Sequence, residues 1–313
     1  MLEQLITLAL DSGRAGLDMG LYILMPIMVI MLAIMKLLDA KGILSWVANK
    51  LAPITRIFGI PGLGVFAMIK ILFVGFAAPI ATFVIMDKGN TSRRYIASTL
   101  AMVMTMSQAN ASLPLTTVGL NLHVALLTSI CAGLAAAAFT YYILCRNFEN
   151  EENLTIEVKG SAAEEKNKTI FQILSDGGQE GLKIVFSMIP MLILALFVVN
   201  ILKTSGAITS ITHLLASPLS VLGLSESTIL PIITKFIAGG TAFTGITLDL
   251  INQGAMSPLE LNRIAGFTIN SLDIVGVTVY AAIGKRLGGV IRFAIYGALF
   301  GIFLRGVAHL IIF

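Results

Sequence analysis

Two stretches of sequence decide the fold: Asp11-Ser12-Gly13-Arg14-Ala15-Gly16-Leu17, and Asp176-Gly177-Gly178-Gln179-Glu180-Gly181-Leu182 later in the same chain. Both have the pattern Asp-x-Gly-x-x-Gly-Leu. The register continues, because single residues recur at an offset of 164 or 165 positions. These are Pro26, Gly42, Lys70, Gly75, Gly89 and Ser92, which reappear as Pro190, Gly206, Lys235, Gly240, Gly254 and Ser257. The chain is therefore an internal duplication, with copies at residues 1–145 and 169–313 joined by a charged linker at residues 146–168.

Composition places the chain in a membrane. Of its 313 residues, 57% are apolar and 12% are charged, whereas a soluble domain has about 25% charged residues. Apolar runs at residues 17–35, 124–145 and 184–202 approach or reach the ~20 residues that a helix needs to cross hydrocarbon. The first residues contain no basic leader, so we expect no removable signal peptide. The net charge of +4 indicates basic cytoplasmic loops rather than a nucleic-acid partner.

The topology depends on two apolar stretches, residues 63–86 and 228–251. Each is interrupted near its middle, at residues 75–79 and 238–242, by glycine or proline clusters that favour turns. If both stretches crossed the membrane, the loop Lys and Arg residues would divide 11 against 8. If both folded back as re-entrant hairpins, the division would be 15 against 4, with Lys70 and Lys235 inside the hairpins. The positive-inside rule therefore favours hairpins.

The hairpins give each copy three crossings, an odd number, so the second copy is inverted relative to the first. We expect an all-α integral membrane protein with two inverted-topology repeats. Each repeat would contain a short amphipathic helix, a span, an interfacial helix, a re-entrant hairpin, a broken helix and a final span. The total is six spans and two hairpins, with the linker cytoplasmic and both termini outside a bacterial-type inner (plasma) membrane.

A helix with a polar centre follows each hairpin. Unpaired backbone groups cost several kcal/mol in hydrocarbon, so a broken helix is tolerated where it lines a protein-walled cavity. The alternative is that Ser and Asn only hold helices together. Two such clusters at matching places in a duplication favour a binding site. The substrate-binding candidates in these centres are Gln108, Asn110, Ser112, Asn270 and Ser271.

The hairpin tips would bring helix ends and small residues to the same depth. Free N–H groups at helix N-termini attract polar or anionic groups. Phe76 and Phe243 are candidates for stacking on a planar ligand, although packing is the commoner role of a membrane phenylalanine. The substrate-binding candidates in the tips are Gly75, Phe76, Ala77, Gly239, Gly240, Thr241, Phe243 and Thr244.

Asp273 is the sharpest single candidate, because an ionisable group at membrane depth is expensive and usually functional. We expect Asp273, with Asn110 and Ser112, to couple Na⁺ or H⁺. The alternative for Asp273 is a structural ion pair with Lys235 or Lys70. The two lysines each precede a tip glycine by five residues, so they have a structural or site-bridging role.

At these residues the chain resembles the nucleoside-recognition, or Gate, domain family. The likeness rests on the Asp-x-Gly-x-x-Gly-Leu motifs, on the helices with Pro26 and Pro190 that end near Gly42 and Gly206, and on residues 238–245. The family is similar to the core of the concentrative nucleoside transporters, in which hairpin tips and broken helices bind nucleoside beside a Na⁺ or H⁺ site. The resemblance implies the same roles for the candidates above. Gate-like units also occur in the bacterial ferrous-iron permease and in spore maturation proteins A and B, so the fold alone does not name the cargo.

We therefore expect an ion-coupled secondary transporter of a small polar solute, with nucleoside or nucleobase as the leading candidate, that works by alternating access. One alternative is a metal-ion permease. Another is a non-transporting membrane scaffold or partner subunit of the spore-maturation type. Neither catalytic residues nor metal-ligand spacing are found among the three histidines, so no enzyme activity, bound metal or cofactor is expected. The expected partners are the solute and the lipid bilayer, and homo-oligomerisation is left open.

Overall fold

The computed structural model describes residues 2–75, 78–89, 91–148, 168–206 and 223–313. Regular secondary structure in these ranges is helical. The α-helices are α1 (Leu2–Asp18), α2 (Met25–Ala40), α3 (Ile43–Arg56), α4 (Gly62–Phe73), α5 (Ile80–Lys88), α6 (Arg93–Thr105), α7 (Ala109–Leu115), α8 (Leu122–Phe139), α9 (Ile170–Thr204), α10 (Ile229–Asn252), α11 (Pro258–Thr268), α12 (Ile274–Ala281) and α13 (Lys285–Ile312). Most of the charged linker lies outside the described residues.

Four described stretches are long and apolar enough to cross a membrane: Glu3–Ala40, Leu122–Leu144, Glu226–Asn252 and Lys285–Ile312. The prediction of an all-helical membrane architecture agrees with this. Length alone does not establish a crossing, because a helix that folds back has the same residue count.

Each copy begins with one continuous helix rather than two elements. A π-helical turn, Met19–Leu24, joins α1 to α2, and α9 runs without interruption through the second motif. The prediction of a short amphipathic helix separate from the first span of each copy is therefore wrong. The glycines of the motif lie inside these helices and permit close packing, a common use of small residues between membrane helices.

Each motif packs against the first helix of the other copy. A Cβ atom on Gly16 would lie 2.5 Å from Cγ1 of Ile193, and one on Gly181 would lie 2.9 Å from Cα of Val29. In the duplicated register, Gly16 corresponds to Gly181, and Val29 corresponds to Ile193. The first helix of copy one, formed by α1 and α2, therefore meets α9 with its early residue Gly16 at the late residue Ile193. Its later residue Val29 meets the earlier residue Gly181. The two equivalent helices therefore run antiparallel.

The last helices of the two copies, α8 and α13, are also antiparallel. A Cβ atom on Gly301 would lie 2.7 Å from Cβ of Ala136, and Thr128 lies 2.9 Å from Nε2 of His309. Thus the later residue of α13 meets the earlier residue of α8. Close contact between the two helices depends on the small residues at these positions.

The helices α6 and α11, which precede the breaks, occupy equivalent places beside this pair. In α6, Ala101 packs on Gly297 of α13, and the later residue Thr105 packs on the later residue Gly301. The helices α6 and α13 are therefore parallel. Contacts of α11 with α13 advance in opposite directions, because Nδ1 of His309 lies 2.7 Å from the Asn262 carbonyl while Gly266 packs on Arg305. Therefore α6 and α11 point in opposite directions.

The starts of α6 and α11 are both capped by a serine side chain. Ser92 accepts a hydrogen bond from the Arg94 N–H at 3.2 Å. Ser257 accepts from the Glu260 N–H at 3.2 Å, and Glu260 accepts from the Ser257 N–H at 2.6 Å, which completes a capping box. These serines are repeat equivalents, so the local signal that starts each helix was duplicated with the helix.

The segment α4–α5 returns to the end from which it starts. Before α4, the Gly59 carbonyl accepts a hydrogen bond from Ser98, near the start of α6. After α5, Arg286 donates to the carbonyls of Gly89 and Thr91 at the same end of α6. Between these ends the chain turns at Gly75, whose φ is 141°. We call residues 62–88 the first return segment.

The helix α10 is a second return segment. Its non-helical residue is Gly239, with φ 85° and ψ 179°. At its start, Ser227 donates to Glu260 at 3.0 Å, in the first turn of α11. At its end, the chain passes directly to the Ser257 cap of α11. The stretch Glu226–Asn252, long enough to span by residue count, therefore has both ends beside the start of one helix.

Arg305 corrects the charge count used for the topology. The division of 15 against 4 counts Arg305 among the four loop residues on the less basic side, but this arginine lies inside α13 and is fully buried. Removing it changes the division from 15 against 4 to 15 against 3. The bias therefore survives, and Arg305 becomes a residue whose buried charge requires an explanation.

Candidate functional site

Two breaks in the helices form the frame of the candidate site. The first break separates α6 from α7 at residues 106–108, and the second separates α11 from α12 at residues 269–273. Backbone at Gln108 (φ −97°, ψ 129°) and at Asp273 (φ −148°, ψ 173°) is extended. Extended residues cannot continue the helical hydrogen-bond ladder, so each break frees backbone carbonyls and amides at its centre.

Polar side chains join the two breaks directly. The Ser271 hydroxyl donates to the Val103 carbonyl at 3.1 Å, and the Ser271 N–H lies 3.3 Å from the Met104 carbonyl. Nε2 of Gln108 donates to the Asn270 carbonyl. The predicted polar centres of the two copies are therefore in contact. In these contacts Ser271 and Gln108 satisfy freed carbonyls of the opposite copy.

Arg305 holds both breaks from behind. Its Nη1 donates to the Ile269 carbonyl at 2.5 Å and to the Thr105 carbonyl at 3.4 Å. Its Nη2 donates to the Ser107 hydroxyl at 2.5 Å. Thr105 and Ile269 lie at the C-terminal ends of α6 and α11, where the helix dipole carries about half a negative charge each. The two helix ends therefore compensate the buried guanidinium.

We missed Arg305 as a site residue. One available signal was its position, because it stands in a long apolar run with Gly301 and Gly306 on either side. A buried arginine within a membrane helix is expensive and faces the protein interior. Its alignment with the two breaks required the packing of α13 against α6 and α11.

The turn of the first return segment lies against Asn110. A Cβ atom on Gly75 would lie 2.6 Å from Oδ1 of Asn110. Asn110 is 2% exposed, and its Oδ1 has no hydrogen-bond partner in the described structure. An unpaired buried acceptor costs about 1–3 kcal/mol. This oxygen is therefore an available contact for a donor group or a cation at the turn.

The turn of the second return segment lies against Asp273. A Cβ atom on Gly239 would lie 3.6 Å from Oδ1 of Asp273. The same oxygen accepts the Gly276 N–H at 2.8 Å, so Asp273 caps α12. Its other oxygen forms a buried ion pair with Nζ of Lys235. The predicted alternative of an ion pair with Lys235 is thus present in the structure.

The second turn also meets the break of the first copy. A Cβ atom on Gly240 would lie 2.5 Å from Nε2 of Gln108. The second turn therefore contacts Gln108 from the first break and Asp273 from its own. Only the absence of a side chain at residue 240 permits this approach.

Other predicted residues have local partners. Ser112 donates to the Gln108 carbonyl at 3.1 Å, and Thr244 donates to the Gly240 carbonyl at 2.9 Å. Asn270 donates to the Phe267 carbonyl at 2.7 Å and accepts the Leu272 N–H at 3.0 Å. These side chains satisfy the backbone near the breaks.

Four further candidates complete the set. Phe243 is fully buried in the hydrophobic core, while Thr241 is partly exposed. Phe76 and Ala77 lie outside the described residues. The stacking role of the phenylalanines stays a prediction.

The two repeat-equivalent lysines differ in position. Lys235 is fully buried and bridges the second return segment to Asp273. Lys70 is partly exposed, and its favourable charge interactions are with Asp39 and Glu180. The duplicated register places Gln108 where the second copy has Asp273. The charged pair therefore belongs to the second copy only.

The donor set does not resemble a transition-metal centre. Among the described residues, no group of three or more His, Cys, Asp or Glu side chains is placed to hold a metal ion. Histidine and cysteine are the ligands such sites prefer. The metal-permease alternative receives no support from this part of the chain.

Comparisons with known proteins agree with this architecture. The sequence profile of the family described as nucleoside recognition, or Gate, matches residues 21–140. Spore maturation protein B of Bacillus subtilis (strain 168) is 30% identical over 141 residues, which cover 44% of this chain and 78% of that protein.

Solved structures of CNTnw have the same fold. The outward-facing state has a TM-score of 0.71 at 14% identity, covering 98% of this chain and 85% of that one. The inward-facing substrate-bound state has a TM-score of 0.70 at 14% identity, covering 99% and 83%. This similarity shows the fold, that of an all-helical multi-pass membrane protein like CNTnw. The chain belongs to the nucleoside-recognition (Gate) domain family.

Proposed function

We propose that the protein is an ion-coupled secondary transporter of a small polar solute, with nucleoside or nucleobase as the leading candidate. The observation that carries the proposal is the convergence of two return-segment turns on two helix breaks, with the unpaired Asn110 oxygen at one turn and Asp273 at the other. Polar groups of this kind are costly inside a membrane and mark solute and ion pathways.

The proposed topology is two inverted repeats with six spans and two re-entrant hairpins. Three pairs of equivalent helices support it, because each pair runs antiparallel: the first helices, α6 with α11, and α8 with α13. The return segments support the hairpins, since both ends of each lie beside the start of one helix. In a bacterial-type inner membrane, the linker would be cytoplasmic and both termini outside.

The proposed solute site lies between the turns, at Gly75 and Gly239–Gly240, and the breaks at Gln108 and Asn270. Backbone can approach a ligand closely where glycine replaces a side chain. Asn110 supplies an acceptor, and Gln108 supplies an amide that reaches both copies. Amides and hydroxyls of this type bind the polar edges of a nucleobase or the hydroxyls of a ribose.

Alternating access would follow from the arrangement of moving and fixed parts. The helices α6, α8, α11 and α13 are in close contact through Gly266, Gly297, Gly301 and Gly306. The return segments are attached to this bundle mainly at the starts of α6, α11 and α13. Rocking of one repeat against the other would then open the turns alternately to each side.

Uptake into proteoliposomes tests the proposal. Nucleosides, nucleobases, amino acids and dipeptides are screened first by thermal shift, and the best ligand is radiolabelled. Asn110→Ala is expected to lower its apparent affinity about 2- to 12-fold, as for one lost hydrogen bond. Asn252→Ala, at an exposed position at the end of α10, is the control and is expected to retain affinity. Protein that folds but neither binds nor moves any of these solutes would contradict the proposal.

A second candidate is a membrane scaffold that acts through a partner subunit. The identity of 30% to Spore maturation protein B favours it. A scaffold does not require a ligand at the breaks, so Asn110→Ala and Gln108→Ala would then be functionally silent. Complementation of a deletion strain with these two variants separates the candidates, because a transporter loses function and a scaffold retains it.

A further inference from the structure

We propose that Asp273 is a latent monovalent-cation site that the side chain of Lys235 occupies permanently. The ammonium group takes the place of Na⁺ at this carboxylate. The inference rests on the transport function proposed above. It excludes Na⁺ bound at Asp273 as the coupling ion of that function.

Both oxygens of the Asp273 carboxylate have a partner within the protein. Oδ1 of Asp273 accepts the Gly276 N–H at 2.8 Å, and Oδ2 is paired with Nζ of Lys235. The side chain of Lys235 is 0% exposed and that of Asp273 is 5% exposed. A sodium ion that binds Asp273 would have to displace the ammonium group into an interior that offers it no other described carboxylate.

The energetics favour the resident lysine over an exchanging ion. Removing one partner of a buried ion pair leaves an uncompensated charge, which is strongly destabilising. A carboxylate left alone recovers stability if a cation enters. Because Asp273 touches the Gly239 turn, that cation would lie where the second return segment closes on the break.

The first copy provides an internal comparison. Lys70 is the repeat equivalent of Lys235, and Gln108 is the repeat equivalent of Asp273. Gln108 is neutral and donates to the Asn270 carbonyl, and Lys70 lies partly exposed. The lysine thus enters the site only in the copy that has the carboxylate. This correlation is expected if Lys235 serves Asp273 and not the turn alone.

The consequence concerns what accompanies the solute. At Asp273 the cation is the protonated amine of Lys235, which is covalently tethered and crosses no membrane by itself. Sodium coupling through this carboxylate is therefore absent in the natural protein. Truncating the Lys235 side chain creates a site at which Na⁺ binds Asp273.

Thermal unfolding of detergent-purified protein at pH 8 tests this without any transport assay. Melting temperatures are compared in 1 and 150 mM NaCl, with choline chloride holding the ionic strength constant. The variants are Lys235→Ala, Lys235→Arg, Asp273→Asn and the double variant Lys235→Ala/Asp273→Asn. For an apparent Kd of about 10 mM, Na⁺ raises the melting temperature of Lys235→Ala by about 3–6 °C. The double variant and Lys235→Arg lack this rise.

Three results would overturn the inference. One is an equal response to Na⁺ in Lys235→Ala and in the double variant. Another is a response in the natural protein that Asp273→Asn abolishes, because Asp273 would then already bind Na⁺. The third is the absence of any Na⁺ response in Lys235→Ala. If Lys235→Ala cannot be purified, Lys235→Met, which retains most of the volume, is measured against Lys235→Met/Asp273→Asn with the same criteria. Failure of solute uptake bears only on the proposed function, since these measurements report cation binding.

Discussion

Nη1 of Arg305 lies 2.5 Å from the carbonyl oxygen of Ile269, the residue that follows the last residue of α11. The same guanidinium reaches Ser107 in the break of the first copy. One side chain near the end of the chain therefore fixes the distance between two breaks that belong to different copies.

Replacing Arg305 should destabilise the protein more than replacing any exposed arginine of the same helix. Arg305→Met leaves the Ile269 carbonyl and the Ser107 hydroxyl without this donor, at about 1–3 kcal/mol for each unpaired group. Thermal and denaturant unfolding in detergent measure the loss. Arg305→Lys retains the charge but not the forked donors, so its stability should lie between that of the natural protein and that of Arg305→Met.

Arg292→Met is the matched control for Arg305, because Arg292 is exposed on the same helix and stacks on Phe293. We expect it to change stability by less than about 0.5 kcal/mol. An Arg305→Met protein as stable as Arg292→Met would show that the breaks keep their positions without the guanidinium.

Two neighbouring glycines of the second motif should respond oppositely to alanine. A Cβ atom on Gly177 would lie 2.6 Å from the Leu32 carbonyl oxygen and 2.7 Å from Cα of Ala33, both backbone atoms. Gly177→Ala must separate the first helix from α9, a form of overpacking that costs about 1–3 kcal/mol. Unfolding midpoints measure it.

Gly178 is the control for that prediction. Its added Cβ atom would lie 3.4 Å from Cγ1 of Val29, at ordinary van der Waals distance. Alanine is favoured over glycine in a helix by about 1 kcal/mol, so Gly178→Ala should be neutral or stabilising. Equal losses at both positions would contradict the helix crossing described here.

Gly240 and Gln108 should be coupled. A Cβ atom on Gly240 would lie 2.5 Å from Nε2 of Gln108, so Gly240→Ala must push the amide away from the Asn270 carbonyl. Gln108→Ala removes the same hydrogen bond. The double variant should therefore lose less ligand affinity and less stability than the sum of the single losses, by about 0.5 kcal/mol or more.

A double-mutant cycle over these two residues gives the coupling energy. Gly289→Ala serves as the control, because no atom lies within 4 Å of the added methyl group. Strict additivity of Gly240→Ala and Gln108→Ala would mean that the second turn does not approach the first break in solution.

The return of the first segment to its starting side can be measured by labelling. Cys131 and Cys145 are first replaced by serine, and single cysteines are introduced for Lys88 and Arg93, at exposed positions on either side of the link to α6. We expect an impermeant maleimide to label both only from the cytoplasmic face of membrane vesicles.

A cysteine for Gln253 is the control at the opposite end. It lies exposed after the second return segment, which the inverted topology places on the outer face. Labelling of the Lys88 and Gln253 positions from the same side would contradict the inversion of the two copies.

Much of the architecture can be predicted from the sequence, because glycine or polar residues that interrupt an apolar run mark a break in a membrane helix. Gly75 and Gly239 stand in apolar runs that otherwise favour helix, and both have positive φ in the structure. Polar residues clustered at Gln108 and Asp273 predict the two breaks for the same reason. These signals are local and need no knowledge of packing.

Other features depend on contacts between distant segments and could not be predicted. The glycines of the repeated motif suggest a helix boundary, yet they lie within continuous helices because another helix packs against them. Arg305 was assigned to a loop because its charge was counted without its neighbours. The sequence leaves both Lys235 and Lys70 open as ion-pair partners of Asp273. Only the packing, which buries Lys235 against Asp273 and leaves Lys70 partly exposed, decides between the two lysines.

The difference between Gln108 and Asp273 also bears on how the two copies enter a bilayer during synthesis. The first copy can place its break in hydrocarbon with neutral amides alone. The second carries an acid and an amine on separate helical segments, and an isolated charge at the centre of a helix disfavours insertion by about 2.5–3.5 kcal/mol. Lys235 and Asp273 must therefore find each other as the second copy leaves the translocon, which makes biogenesis of that half the more vulnerable step to single substitutions.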